Sequence, residues 1–472
     1  MMTWPVTLFD YFMLVLRLSL AVTVTLHVLR TKQNTAACAG WIGVSWLMPV
    51  CGALLYLMFG INRVQRLARR LVNDHRWRGR GLAYNAHYRM KGDFAPLARM
   101  VGRLTERPLL GGNSVTCLHD GDNIYPRMLE DIASARRSVL LCSYIFRADR
   151  IGDQFVEALA AAQKRGVEVR VLVDGIGGGY FYSGIVRALH RRGIACQRFM
   201  HSLLPWKMPF INLRNHRKIL IIDGQIGFMG GLNIGEENLR RLRTKHPVAD
   251  THFRLEGPVV HQLTEAFASD WSFTCGEQLD GEIYFPELKR QGDIPMRVVT
   301  SGPDNDLEKI EFSMLQAIAL SRRSVRLMTP YFLPNERLVS ELCLAALRGV
   351  EIDIILPRRS NHRLIDYARD ASLAPFLTAG CHVWMSRPPF NHAKLLVVDE
   401  AWSFVGSSNI DARSLRLNFE INLEIYSDLV AQELNAFMER HRTRRLTHHA
   451  IDSVSTTRKI RNAAVRLFSP YL

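Results

Sequence analysis

The chain has 472 residues, of which 48% are hydrophobic, and carries a formal net charge of +17. That charge suits an anionic partner, but it does not separate an acidic lipid surface from nucleic acid. None of the eight cysteines is in Cys-x-x-Cys spacing and several sit inside apolar runs. This argues against a disulfide framework or a cysteine zinc motif, and fits reduced thiols in the cytoplasm.

The first elements are apolar. Leu8 to Leu29 is mostly apolar but carries Asp10, Arg17 and His27, and Ala36 to Ile61 has no charge and includes Trp41, Trp46, Pro49 and Tyr56. Each is close to the ~20 residues that cross a bilayer, so residues 1–65 are expected to form an anchor of two transmembrane helices. A cleaved signal peptide competes for the first segment. Against it, the segment lacks a basic start and a second apolar run follows at once. Arg17 leaves open a first segment lying partly in the interface. Next comes a basic run, Arg63, Arg66, Arg69, Arg70, Arg76, Arg78, Arg80 and Arg89, against Asp74 alone. The positive-inside rule then puts the body of the chain on the cytoplasmic side, with the run on anionic headgroups at about 1 kcal/mol per residue. Residues 66–112 read as a basic juxtamembrane linker with one amphipathic helix around Ala95 to Leu104.

Beyond the linker the chain repeats itself. Ala135-Arg-Arg-Ser138-Val-Leu-Leu matches Ser321-Arg-Arg-Ser324-Val-Arg-Leu without a gap, and each copy continues through Tyr144 to Phe146 or Tyr331-Phe332. Arg165-Gly166 and Arg348-Gly349 each open a β-branched run, which reads as a helix end followed by a buried strand. The period is far longer than the ~20 to 50 residues of a solenoid repeat. A duplicated α/β unit is expected, 113–285 and 286–472, with a mixed, largely parallel sheet in each copy.

Each copy carries one frame: His216-Arg-Lys218-Ile-Leu-Ile-Ile-Asp223 and His392-Ala-Lys394-Leu-Leu-Val-Val-Asp399. Asn215 and Asn391 precede them. Gly230 with Asn233, and Gly406 with Asn409, follow at matched steps. One such frame would mean little on a basic surface, but two with matched tails do not arise by chance. The apolar runs read as short strands that project His and Lys together into one cleft, with the Gly and Asn on the turn leaving the strand. Two imidazoles and two ammoniums in one site suit phosphoryl transfer. One neutral imidazole attacks phosphorus, the opposite imidazolium protonates the leaving alkoxide, and lysines and asparagines hold the non-bridging oxygens. The lysines supply the positive charge, so no metal is required.

These frames resemble the HKD motifs of the phospholipase D superfamily. The segments Asn212-Leu-Arg214-Asn215-His216, Thr329-Pro-Tyr-Phe-Leu-Pro334 and Leu417-Asn-Phe-Glu420-Ile-Asn422 are similar to bacterial cardiolipin synthases, and the likeness runs from the apolar N-terminus to Ser469-Pro-Tyr-Leu472. The resemblance implies two repeats about a pseudo-twofold axis in a multi-pass protein of the bacterial cytoplasmic membrane. It implies transfer of a phosphatidyl group between two phosphatidylglycerol molecules to give cardiolipin and glycerol through a phosphohistidine. It further implies no cofactor and no nucleic-acid partner, and leaves a homo-oligomer open. A hydrolytic phospholipase D competes, and behind it a membrane-bound phosphodiesterase or nuclease; a non-catalytic scaffold does not need complete duplicate motifs.

The candidate catalytic set is His216, Lys218, Asp223, His392, Lys394 and Asp399, with Asn233 and Asn409 on the substrate phosphate. The resemblance assigns attack to His216 and acid-base work to His392. A carboxylate five residues beyond Lys on a strand faces away from it, so Asp223 and Asp399 are expected to fix their own turns. Asp250 and Glu420, at equivalent places downstream, are expected to orient the imidazoles through Nδ1–H. Gly230-Gly231 and Gly406-Ser407-Ser408 offer close backbone approach to phosphate, and a serine hydroxyl is a further candidate donor. The glycine run Gly175 to Gly179 lacks a P-loop ending and reads as a mobile turn at the cleft mouth. Leu203 to Phe210, with Trp206, is either a packed loop or a segment that meets lipid. His246, His261, His448 and His449 lack partners at ligand spacing and are read as ordinary surface or core histidines.

Overall fold

A computed structural model describes residues 8–32, 35–60, 86–201, 213–242, 244–303 and 306–469. Contacts divide the chain into two compact units, Met1–Ala68 and Arg69–Leu472.

In the first unit a helix of 24 residues spans Leu8–Thr31, roughly 36 Å at the usual rise per residue. Among the described residues it is the one helix long and apolar enough to cross a membrane. The second apolar run departs from a single rod. It forms helices Thr35–Leu47 and Pro49–Leu55, then a π-turn over Tyr56–Gly60. The break falls at Met48, φ −137° and ψ 73°, because the residue before proline is pushed out of the helical region. Gly52 closes the bend: a Cβ there would lie 2.7 Å from the Val44 carbonyl oxygen. The two runs pack as a hairpin in which polar groups find each other, His27 Nδ1 with Tyr56 Oη at 2.7 Å and Trp46 Nε1 donating to Thr25 Oγ1 at 3.0 Å. The basic run from Arg63 to Arg80 lies outside the described residues.

In the second unit the first half holds strands β1 (Leu110–His119), β2 (Ser138–Ser143), β3 (Glu168–Asp174), β4 (Ala195–Phe199), β5 (Ile219–Ile222), β6 (Ile226–Gly230), β7 (Val248–Ala249) and β8 (Thr251–Glu256). The second holds β9 (Ile294–Ser301), β10 (Ser324–Met328), β11 (Glu351–Pro357), β12 (His382–Ser386), β13 (Phe390–Asn391), β14 (Leu395–Val398), β15 (Trp402–Gly406), β16 (Glu420–Tyr426) and β17 (Arg444–Arg445). Fifteen strands follow one hydrogen-bonded order, β17-β12-β11-β10-β14-β15-β16-β9-β1-β8-β6-β5-β2-β3-β4. Apart from the short edge strand β17, the order reads the same outward in both directions from the β9–β1 pair. The repeat is therefore a repeat of topology.

The parallel character is more limited than the sequence suggests. Within the fifteen-stranded sheet only β2-β3-β4 and β10-β11-β12 run parallel, and β7 with β13 forms a separate parallel pair; the motif strands pair antiparallel on both sides. The cause is a tight hairpin after each frame. Asp223 and Gly224 have φ of 54° and 64°, and Asp399 and Glu400 have 53° and 57°, the left-handed pair of a type I′ turn, within loops of three residues between Ile222 and Ile226 and between Val398 and Trp402. Gly230 and Gly406 accordingly end the second strand of each hairpin rather than the turn leaving the motif strand.

Three cores result. Val139, Val171 and Leu220 pack with helices Gly121–Ser134 and Arg150–Lys164 outside the first half, and Val325, Ile354 and Leu396 with helices Lys309–Leu320 and Glu336–Leu347 outside the second. The third joins the halves: Leu140, Ile221, Phe253, Leu395, Val405 and Ile421 meet over helices Val259–Cys275 and Asp428–Glu439. This shared apolar layer fixes one half against the other.

Candidate active site

The catalytic frames begin before their strands. β5 starts at Ile219 and β14 at Leu395, so each His and Lys lies on the extended segment that enters the sheet. There the backbone bonds to the other half: His216 N donates to Phe419 O at 2.9 Å, and His392 N to Ala249 O at 2.7 Å. Both acceptors immediately precede a carboxylate residue.

Those carboxylates take the imidazoles. His216 Nδ1 is 3.0 Å from Glu420 Oε2, and His392 Nδ1 is 2.8 Å from Asp250 Oδ2. Asp250 and Glu420 thus each serve the histidine of the opposite half. With Nδ1 so engaged, Nε2 is the nitrogen each ring has for chemistry, and both rings line one cleft. Lys218 Nζ donates to His216 O at 2.7 Å, and Lys394 Nζ donates to His392 O and lies 2.9 Å from His392 Nδ1.

Burial dominates the electrostatics. It lowers His216, against the upward pull of Glu420, and with the charge of Lys394 it holds His392 at about 4. Burial also brings Lys218 down to about 7 and Lys394 to about 8, despite Glu420 and Asp250 respectively. Burial works in the opposite sense on the two carboxylates, yet Glu420 is lowered by His216 and Asp250 by Lys394. Two carboxylates opposite two ammoniums leave little net charge before an anion arrives.

Asp223 and Asp399 point away from the cleft. Asp223 accepts from the backbone N–H of Arg136, Arg137 and Ser138, and Asp399 from those of Arg322, Arg323 and Ser324. Each ties its hairpin to the start of the neighbouring strand. Asn233 and Asn409 line the cleft, Asn233 Oδ1 accepting from Ile145 N at 3.2 Å. The small residues serve a different purpose from the one read in the sequence. A Cβ on Gly231 would fall 2.3 Å from Asp250 Oδ1, and one on Gly406 2.3 Å from Ile421 O. They admit the orienting carboxylate and its strand. The serine hydroxyls are likewise turned to protein: Ser407 donates to Glu420 Oε2 and Ser408 to Asn422 Oδ1.

The cleft, about 550 Å³, is also lined by Tyr144, Tyr331, Arg214 and Arg413, which motif reasoning missed. The tyrosines stand edge-on to the imidazoles, Tyr144 to His216 at 4.9 Å and Tyr331 to His392 at 6.1 Å. Their matched places in the repeat were the available signal. The glycine turn after β3 is pinned: Asp174 Oδ1 takes the N–H of Ile176 and Gly177, and Arg198 donates to Gly175 O. Its amides are therefore not offered to a phosphate. Leu203 to Phe210 lies outside the described residues. His261 Nε2 meets Pro286 O at 2.7 Å. Among the described residues, one group, Glu351, Asp353 and His382, has ligand-like spacing. Arg442 and Trp384 already hold its Asp353.

The duplicated fold and its crossed histidines place this chain in a known class. The family described as "Cardiolipin synthase, PLD-like domain" matches residues 128–271 and 314–442, once in each half and over more than half of the chain, which belongs to that family. Among curated relatives, the major cardiolipin synthase ClsA of Bacillus subtilis (strain 168) is 31% identical over 97% of this chain and 98% of its own length. A cardiolipin synthase of Alkalihalophilus pseudofirmus is 34% identical over 82% of this chain and 78% of its own. The crystal structure of phosphatidylserine synthase from Haemophilus influenzae Rd KW20 superposes with a TM-score of 0.62 at 14% identity. It covers 80% of this chain and all of that one, a likeness of fold.

Proposed function

We propose that the chain is a cardiolipin synthase that moves a phosphatidyl group between two phosphatidylglycerol molecules by way of His216. His216 Nε2 attacks phosphorus, the bond to the glycerol oxygen breaks, and His392, which enters the step as the imidazolium once the substrate's anionic phosphodiester offsets the neighbouring lysine charge, gives that oxygen its Nε2 proton. The terminal hydroxyl of a second phosphatidylglycerol then attacks, its proton passes to His392, and the P–N bond breaks to release cardiolipin. Lys218, Lys394, Asn233 and Asn409 hold the non-bridging oxygens as charge shifts onto them. Glu420 keeps His216 in the neutral tautomer that presents Nε2 for attack, and Asp250 holds Nδ1–H of His392 in both its protonated and its neutral form. The observation that carries this reading is the pair of imidazoles facing one cleft, each oriented by a carboxylate of the other half.

The apolar hairpin supports a membrane location, with both runs entering the bilayer and the basic run on the cytoplasmic side. Such placement favours a lipid hydroxyl over water as the acceptor. The test uses purified protein in mixed micelles with labelled phosphatidylglycerol, beside His216→Ala and His392→Ala. Cardiolipin and glycerol formed together, and lost in both variants, is the expected result. Phosphatidic acid without cardiolipin would turn the assignment to a hydrolase.

A further inference from the structure

The twofold pattern of the cleft is broken in one respect. Arg214 stands two residues before His216, where Phe390 stands two before His392. Arg413 follows Asn409 by four residues, where Glu237 follows Asn233 by four. All four side chains line the cleft. Arg214 and Arg413 come from opposite halves but share a neighbourhood: the charge of each acts on the Tyr144 hydroxyl, and that of Arg214 adds to burial in lowering Arg413. At the matching place, Phe390 lies 5.9 Å from the His392 ring, and Glu237 is paired with Arg147 at 3.0 Å. One flank thus carries two guanidiniums, with Asp174 and Asp411 acting on Arg413, where the matching positions carry an aromatic ring and a carboxylate paired with Arg147.

The two substrates are chemically identical, yet they need different things. The reacting phosphodiester of the donor is served by the matched lysines and asparagines. The acceptor brings a second phosphodiester that does not react, joined to the attacking hydroxyl by a three-carbon glycerol unit. It must therefore lie in the same cleft, a few bonds from phosphorus. Its single negative charge has no place in the symmetric set, whereas guanidinium pairs bind phosphodiester oxygens in bidentate fashion. We propose that Arg214 and Arg413 form the subsite for the acceptor lipid's non-reacting phosphodiester, and so select an anionic lipid alcohol over water or a neutral alcohol. This rests on the synthase reading above. As the acceptor oxygen bonds to phosphorus and its proton goes to His392, the arginines hold the acceptor by its own phosphate.

The test sets two acceptors against each other in one tube. Full-length protein in mixed micelles receives labelled phosphatidylglycerol and a short neutral alcohol, and cardiolipin, phosphatidyl alcohol and phosphatidic acid are quantified. Arg413→Gln and Arg214→Gln should lower the ratio of cardiolipin to phosphatidyl alcohol by about tenfold or more, the loss of one charge-assisted contact. Arg413→Lys, which keeps the charge, should recover most of the ratio. The half-saturating phosphatidylglycerol concentration for cardiolipin formation should rise with the same rank. An unchanged ratio in the glutamine variants overturns the proposal. So does loss of all three products together without recovery in the lysine variant, because the arginines would then serve the donor step or the fold. A wild-type protein that makes phosphatidyl alcohol and phosphatidic acid but no cardiolipin sinks the synthase reading itself, and is told apart from both by that pattern.

Discussion

The two motif segments are alike where they face the cleft and unlike where they meet the rest of the protein. Behind the first, Arg217 forms a buried ion pair with Asp270 at 2.7 Å, and Asn215 Nδ2 donates to the same carboxylate at 2.8 Å. Behind the second, Ala393 replaces the arginine and Asn391 Nδ2 is 3.2 Å from His441 Nε2. Both supports come from the region of the helix that follows the carboxylate strand. Glu420 is held by Ser407 and Asn418, while the shorter Asp250 takes the N–H of Thr251. Symmetry is therefore kept for the groups that face the cleft and relaxed for those that brace them. A buried ion pair on one side and a neutral contact on the other can hold the same geometry, because position rather than net charge is what the frame needs.

Removing an imidazole should have the largest effect. His216→Ala and His392→Ala should each lower glycerol release by at least about 10³-fold, and a variant that keeps substantial activity would break the equivalence of the halves. Next come the crossed carboxylates. Glu420→Gln and Asp250→Asn should lose roughly 10² to 10⁴-fold. Phosphoprotein trapped by denaturation at neutral to alkaline pH, where a P–N bond survives, should fall in Glu420→Gln although the substitution lies in the half without His216.

The third test is pH. A lowered lysine pKa means that the positive charge is present below it and lost above it. With Lys218 at about 7 and Lys394 at about 8, kcat/KM should fall as pH rises through that window. Lys218→Arg should move the fall to higher pH, whereas a limb near the ordinary lysine value would show that the buried charges are better compensated than the geometry implies. The smallest effect on chemistry belongs to Asp223→Ala and Asp399→Ala. Each removes the acceptor for three backbone N–H groups and should cost about 2–4 kcal/mol of stability, read as a lower thermal midpoint. Equal losses would sharpen the comparison of the hairpins and unequal ones would break it.

Duplication was legible because the chain repeats short, chemically specific strings, and the strands opening at Ser138 and Ser324 lie where those strings fall. The antiparallel hairpins were signalled by Asp223-Gly224: a turn fixed by Asp223 was expected there, but the direction in which it returns the chain was not. The break at Met48 was signalled by Pro49, outweighed by the absence of charge around it. Asp250 and Glu420 could be singled out by position. That each reaches the histidine of the opposite half could not, since crossing is a property of how two surfaces meet and leaves no spacing in the chain. Arg214 and Arg413 were invisible for the same reason: one is upstream of its motif, the other downstream, and only the closed interface makes them neighbours.

The crossing also sets a clock on synthesis. His216 leaves the ribosome long before Glu420, the carboxylate 3.0 Å from its Nδ1, so a nascent chain carries this histidine without the group that orients it. Asp250, made early, waits in turn for His392. The paired site is thereby withheld until both halves have emerged and closed on each other, and a chain cut short before Glu420 lacks the carboxylate that His216 meets.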